Sequence, residues 1–299
     1  MTDADHDKWK SLLRTEMITS MTGTEQDCNK AYTQIGYYYN CYAPLNLYKY
    51  YSDQSHNFEA VRNNKVWYSA PCNFNDVFDC DISINEQKIF KTTLQMVSGS
   101  MQIHAGSPAW YRLKQEIKDW CRKLQSVFDN LKEAMGIACF SELNDSLLMW
   151  AHYANNHQGM CVEYNLLDIN KKLRFTPVPI IYSDKKTNFC SLSQETVEVD
   201  SLRCFIESLT SKSQEWHYEK EWRIIREEEA CGVAWNPDKK GALLDMIQPT
   251  SIFLGCMCKA SFEKDVREYC EKNRINLFKM EKDKEEYRLN KAPILQFDE

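Results

Sequence analysis

The stretch His217-Tyr218-Glu219-Lys220-Glu221-Trp222-Arg223-Ile224-Ile225 narrows what this chain can fold into more than any other. Read with the two-residue period of a strand, it sets Glu219, Glu221, Arg223 and Ile225 on one side and Tyr218, Lys220, Trp222 and Ile224 on the other. The second side is amphipathic and can pack. The first carries two carboxylates, which are seldom buried without a partner. The segment is therefore either a solvated edge strand with a local Glu–Arg pair, or part of a site in which Arg223 keeps Glu219 or Glu221 ionised. A second dense run, Ser146-Leu147-Leu148-Met149-Trp150-Ala151-His152-Tyr153, favours the site.

Other short runs share strand composition: residues 46–51, 65–70 (ended by Pro71), 136–141, 160–164, 179–183, 277–280 and the mostly apolar 251–258, which reads as central. Helical periodicity occupies 55–63, 194–212 and 261–273, the last capped by Ser261. A further helix runs to about residue 155, with Asn144 or Asp145 as its cap and Gly159 as a left-handed stop. Within 85–134, Ile117, Trp120, Cys121, Leu124, Val127, Phe128 and Leu131 form one apolar stripe, and Pro108 stands where a helix can begin. The expected fold is α+β: a mixed, mainly antiparallel sheet of seven to eight strands, compatible with a split arrangement, with flanking helices. Residues 1–44 read as an N-terminal helical extension, and 45–299 as a single domain with a helical insert at about 85–134.

The bulk numbers exclude several classes. With 43% hydrophobic and 27% charged residues in 299, a sizeable core is available. Nine Gly and eight Pro leave little room for disordered linkers. A net charge of −6 argues against nucleic-acid binding through a broad basic face. The 13 cysteines are odd in number and scattered through apolar runs, and the acidic N-terminus lacks an apolar stretch. A reducing, cytoplasmic setting is therefore expected, with most thiols acting as small buried hydrophobes. Cys256-Met257-Cys258 has no second pair at zinc-ligand spacing, so no metal is expected. No run approaches the roughly 18 apolar residues of a membrane span, so no membrane partner is expected either.

Four loci interleave aromatic and polar residues more densely than packing needs: Tyr48/Lys49/Tyr50, 69–79, 139–153 and 217–223. A cleft at the strand ends would bring such groups together. Asn75, Asp76 and Asp79 can close turns on the backbone, but lack the glycine and distal glutamate of an EF-hand. Cys139 with His152 would make a nucleophile–base pair, yet Cys139 lies inside an apolar strand. Nucleophile-elbow, P-loop and Rossmann motifs are absent. Asp76, Asp79, Glu219 and Glu221 supply enough acids for a metal-dependent nuclease. The Glu-x-Glu pair also suits cleavage of the glycosidic bond of NAD, where a carboxylate stabilises an oxocarbenium-like state and aromatics stack on nicotinamide.

Taken in order, Leu47-Tyr48-Lys49-Tyr50, Tyr68-Ser69-Ala70-Pro71, Phe74-Asn75-Asp76-Val77-Phe78-Asp79, Cys139-Phe140-Ser141, Leu148-Met149-Trp150-Ala151-His152-Tyr153 with His157-Gln158-Gly159, and Trp216 to Arg223 resemble the bacterial family catalogued as domain of unknown function 2971. The resemblance covers about residues 46–258, departs at Val77 where the family loop carries proline, and implies a shared site without an established activity. A looser, fold-level analogy is to ADP-ribosyltransferases, with Tyr48/Lys49, Ser69 and Glu219/Glu221 in matching order and no first-strand Arg or His. The expectation is an NAD-using enzyme, transferase or glycohydrolase, in a bacterial defence or toxin context. NAD would be its substrate, and its acceptor an unidentified protein or nucleic acid. Glu221 would be the catalytic carboxylate, Glu219 its helper and Arg223 the ionising partner. Tyr48, Lys49, Ser69, Asn75, Asp76, Trp150, His152 and Tyr153 would hold the nucleotide. The alternatives are a non-catalytic nucleotide- or partner-binding sensor and the nuclease.

Overall fold

The computed structural model describes residues 8–98, 103–173, 176–189 and 196–297. The chain begins with α1 (Lys8–Thr22), α2 (Glu25–Tyr42), β1 (Asn46–Tyr51), α3 (Ser55–Arg62), β2 (Lys65–Ser69) and a 3₁₀ turn (Pro71–Asn73). It continues through β3 (Ser83–Ile84), α4 (Glu86–Ser98), α5 (Pro108–Ala134), β4 (Met135–Ser141), α6 (Leu147–Tyr153), β5 (Met160–Asn165) and α7 (Leu166–Leu173). Next come β6 (Val178–Pro179), β7 (Ile181–Ser183), β8 (Asn188–Phe189), α8 (Val197–Leu209), β9 (Ser211–Ser213) and a 3₁₀ segment (Gln214–Glu219). The remainder is β10 (Glu221–Glu227), α9 (Glu228–Cys231), β11 (Gly241–Asp245), β12 (Ser251–Leu254), α10 (Ala260–Asn273), β13 (Asn276–Lys282) and β14 (Leu289–Leu295).

These elements fall into two compact units: Met1–Tyr42, Pro71–Ala134 and Ile181–Gln214 in the first, Ala43–Ala70, Met135–Ile180 and Glu215–Glu299 in the second. Thus α1 and α2, read as an extension, and α4 and α5, read as an insert, belong to one unit with 181–214. In the first unit α5 starts at Pro108 as its sequence predicts, with the Ser107 hydroxyl accepting from Trp110 N at 3.2 Å. Its stripe buries Ile117, Cys121, Leu124 and Phe128, while Val127 and Leu131 stay exposed. Phe128 meets Phe189 and Phe205, with ring centroids 6.2 and 6.5 Å away. The expected start of α8 at residue 194 lies outside the described residues.

The second unit is built on a ten-stranded, mainly antiparallel mixed sheet of order β11-β2-β4-β1-β5-β12-β13-β14, with β10 on β4 and β6 on β10. The fold class holds, with ten strands in place of seven or eight. β4 is the branch point: β10 pairs along its whole length, while β1 joins at Ser141 and β2 at Ile137. The apolar run at 251 is central, as expected, but its strand stops at Leu254. α6 is covered by a core of Tyr50, Trp150, Cys161, Phe253, Phe278 and their neighbours.

Local corrections have local causes. Ser146, not Asn144 or Asp145, caps α6 by accepting from Met149 N. α10 starts after Lys259, so Ser261 is already inside it. α6 ends at Tyr153 and is followed by three left-handed residues, Asn155, Asn156 and His157 (φ 46°, 51° and 67°). Gly159 is not among them. A Cβ there would lie 2.0 Å from the Tyr51 carbonyl oxygen, so the glycine is needed for close approach and not as a helix stop. Gly255 likewise faces the His157 carbonyl, at 2.0 Å from where a Cβ would sit. No helix among the described residues is long and apolar enough to cross a membrane.

Candidate functional site

Residues 217–225 do not form one strand. His217, Tyr218 and Glu219 belong to the 3₁₀ segment, Lys220 turns the chain with a left-handed φ of 45°, and β10 begins at Glu221. The turn is held from β4: the Ser141 hydroxyl donates to the Glu219 carbonyl at 2.6 Å and accepts from Leu143 N at 3.0 Å. Glu142 N donates to the Lys220 carbonyl at 3.1 Å. Nor is β10 a solvated edge, because β4 pairs one side and β6 part of the other.

The charged residues are accordingly interior. Glu219 and Glu221 are each 3% exposed and Arg223 is 0% exposed. The Arg223 guanidinium donates through Nε to Glu221 Oε1 at 2.7 Å and through Nη2 to Oε2 at 3.2 Å, a bidentate fork. Glu219 Oε1 accepts from the Tyr153 hydroxyl at 2.5 Å. Beside that pair, His152 Nδ1 lies 3.0 Å from the Tyr218 hydroxyl on the solvent side. His152 and Tyr153, adjacent on α6, thus engage Tyr218 and Glu219, adjacent on the 3₁₀ segment.

Register places these groups on a polar row across the sheet. Glu221 is opposite Ser141, Ser141 opposite Tyr48, Tyr48 opposite Glu163, and Glu163 opposite Ser251. Directly opposed residues share a face. Glu163 Oε1 accepts from Ser251 Oγ at 2.9 Å and from Thr250 Oγ1 at 2.7 Å. Burial, then the Glu163 carboxylate, pushes the Tyr48 phenol well above its ordinary range, so it is a neutral hydroxyl at all working pH.

The structure gathers some of the expected residues and separates others. Tyr48, Tyr153, His152, Glu219, Glu221 and Arg223 lie in one unit around the row. Lys49 points to the opposite face of β1, donates to the Cys139 carbonyl at 2.9 Å and sits 5.3 Å from the Phe140 ring centroid. Burial draws its ammonium below the ordinary lysine range, against the pull of Cys139 and Glu221. Ser69 pairs with Ile137, four residues along β4 from Ser141, about 13 Å at a ~3.3 Å rise per residue. Ser141, and not Ser69, is the serine opposite Glu221 in the row. Trp150 is fully buried, its Nε1 bonded to the Asn144 carbonyl at 2.8 Å and its ring edge-on to Tyr50, which makes it core and not a stacking wall. Asn75 and Asp76 belong to the other unit.

Three participants escaped the sequence reading. Ser141, Glu163 and Tyr218 each sit in a run already read as structured; strand register gives Ser141 and Glu163 their partners, and the 3₁₀ segment brings Tyr218 to His152. Cys139-Phe140-Ser141 carried the one available signal, a hydroxyl at the end of an apolar strand. Among the described residues, no three His, Cys, Asp or Glu side chains converge as metal ligands.

A family model described as Protein of unknown function (DUF2971) matches residues 149–224, from α6 through β5 into β10. The resemblance seen in the spaced motifs is thus shown over that segment, which holds Tyr153, Glu219, Glu221 and Arg223. No curated protein and no solved structure matches the chain.

Proposed function

Starting from a chain that matches DUF2971 over residues 149–224, we propose that its second unit is an NAD-consuming enzyme that transfers or hydrolyses at the glycosidic bond of the nucleotide. The observation that carries this reading is the Tyr48–Ser141–Glu221 row on three neighbouring strands, with Glu221 held as a carboxylate by the Arg223 fork. An ionised carboxylate fixed in a low-dielectric site opposes the positive charge that develops as nicotinamide leaves. In this reading Glu221 stabilises the oxocarbenium-like ribose, Glu219 and Tyr153 orient a ribose hydroxyl, and Tyr48 offers an uncharged hydroxyl. Because Glu219 and Glu221 are each 3% exposed, the nucleotide reaches them by displacing the half-buried Tyr218 and the exposed His152 beside them.

The same burial favours a second reading, a nucleotide-binding sensor without turnover, in which the carboxylates shape the pocket and never meet substrate. One experiment separates the two. Purified protein is incubated with NAD, with and without total cell lysate, and free nicotinamide and ADP-ribosylated species are read by mass spectrometry. The enzyme reading expects release that falls at least about 100-fold in Glu221→Gln, with the variant's fold checked by circular dichroism. A folded Glu221→Gln protein that releases nicotinamide at the parent rate sinks it. Saturable NAD binding with no release under either condition establishes the sensor.

A further inference from the structure

Of the 18 residues in α2, only Ala31 is buried. Helices in folded chains draw most of their stability from a packed face, so a helix with one buried residue leaves most of its surface uncovered. α1 covers one side. Cys28 Sγ donates to the Thr19 carbonyl at 3.7 Å, and Tyr42 stacks on Trp9 with ring centroids 5.8 Å apart and planes at 18°. Roughly 140° around the axis from Cys28, Ala31 and Tyr42 runs a second stripe. It consists of Asn29, Tyr32, Thr33, Gly36, Tyr37 and Asn40, at the three- and four-residue steps of a packing face. All six are exposed.

Two features of this stripe are not those of a solvated face. From Tyr32 to Tyr42 no residue is charged, in a chain of which 27% is charged. Gly36 stands in the middle of the helix, where glycine is less favourable than every residue but proline. A Cβ built on it would meet no described atom within 4 Å. The fold itself has room for a side chain there, so what a glycine serves at this point is close approach from outside the chain.

We propose that the stripe is a two-fold interface between two copies of this chain. An isologous contact requires one surface to carry both members of every pair, and this one does. Gly36 is a dent, and Tyr32 and Tyr37, 61% and 51% exposed, flank it as the rings that a partner's dent admits. The Tyr37 ring is already held edge-on to Tyr38 and Tyr42, at centroid distances of 5.7 and 6.1 Å, so it loses little freedom on contact. Asn29 and Asn40 carry amides that both donate and accept, so identical groups satisfy one another. Charge points the same way: two copies of a chain with net charge −6 repel, and least where they meet through an uncharged face. One helix face offers less than the ~800 Å² per partner of a standard interface, so the dimer is weak and forms at micromolar concentration. Cys41 lies off the stripe and stays open to solvent. The surface belongs to the first unit and is independent of the reaction proposed for the second.

Sedimentation equilibrium of the full chain from ~1 to ~200 μM tests the proposal. The mass is expected to rise with concentration from 35.2 kDa toward twice that value. Gly36→Gln fills the dent with a better helix former. It should hold the chain at monomer mass while the melting temperature of the dilute protein stays level or rises. Tyr32→Glu sets two carboxylates against each other across the axis and should likewise give a monomer. Both sites are exposed, and circular dichroism checks that each variant is folded. Tyr111→Glu, at a tyrosine on α5 that is also 61% exposed, should leave the association intact. A parent that stays monomeric throughout the range overturns the proposal. So does a dimer whose affinity survives either α2 variant within about tenfold, or one that Tyr111→Glu weakens as much as Tyr32→Glu.

Discussion

At the scale of single residues, the Glu221–Arg223 pair decides how the second unit tolerates change. Both side chains are interior and joined by a bidentate fork at 2.7 and 3.2 Å. Taking one ion of such a pair away strands the other in a medium that solvates it poorly, at about 3–5 kcal/mol. Arg223→Met should therefore lower the urea midpoint sharply, and adding Glu221→Gln should restore part of the loss because the Glu221 charge that lost its partner is then gone. A double variant no more stable than Arg223→Met alone would mean that Arg223 matters for its other contacts and not for this charge. The pairing itself was legible, since Glu-x-Arg alternation names the partners. Its burial was not, because exposure is set by β4 and β6, which reach β10 from at least 80 and 43 residues away in sequence. Ser141 was not singled out for the same reason: Ser69 and Ser141 are both strand serines, and only the β4 register puts Ser141 beside Glu221.

At the scale of elements, the connection from α6 to β5 carries most of the conformational constraint. Three successive left-handed residues are uncommon outside glycine, and His157, the third, stacks on Trp150 at 6.4 Å with rings 11° apart. Its Nδ1 has no hydrogen-bond partner, and burial, then the nearby Lys282, holds its pKa below the ordinary histidine range. The folded chain thus resists a proton that the unfolded chain takes up near pH ~6.5. Below that pH the unfolded state binds more protons, so stability falls as pH drops from ~6.5 toward the folded value. Melting temperatures of parent and His157→Asn between about pH 7 and pH 5 should converge on acidification, the parent losing more. Asparagine removes the titration while tolerating the left-handed backbone. A constant gap between the two curves would show that His157 contributes nothing to acid sensitivity. The sequence announced this loop's position through Gly159 but misassigned its chemistry, because a close backbone approach and a left-handed stop both select glycine. It missed β11 and β14 because Gly241-Ala242-Leu243-Leu244-Asp245 and Leu289-Asn290-Lys291 lack the β-branched and aromatic enrichment of central strands.

At the scale of the whole molecule, the cysteines report on cores that are assembled from distant segments. Cys80, Cys121 and Cys204 are buried in the first unit, and Cys161 and Cys270 in the second, whereas Cys41 and Cys72 are exposed. Cys190 lies outside the described residues. Burial adds a chemical barrier to the steric one: it raises the Cys121 and Cys161 thiols and pushes Cys270 up to about 12, so the reactive thiolate is scarce in the folded chain. Brief alkylation across a urea series, read peptide by peptide in the mass spectrometer, should label Cys41 and Cys72 without denaturant. Cys161 sits on β5 at the centre of the sheet, and Cys270 on α10 over a hundred residues later. If the ten strands form one cooperative core, these two thiols must open at the same urea concentration despite that separation. Cys80, Cys121 and Cys204, on a loop, α5 and α8, should likewise share a midpoint. Separate midpoints for Cys161 and Cys270 would divide the sheet into independently melting parts. The Tyr48–Ser141–Glu221 row would then lie on β1, β4 and β10 without a rigid frame, and a site that depends on sub-ångström placement of a carboxylate could not be built on it.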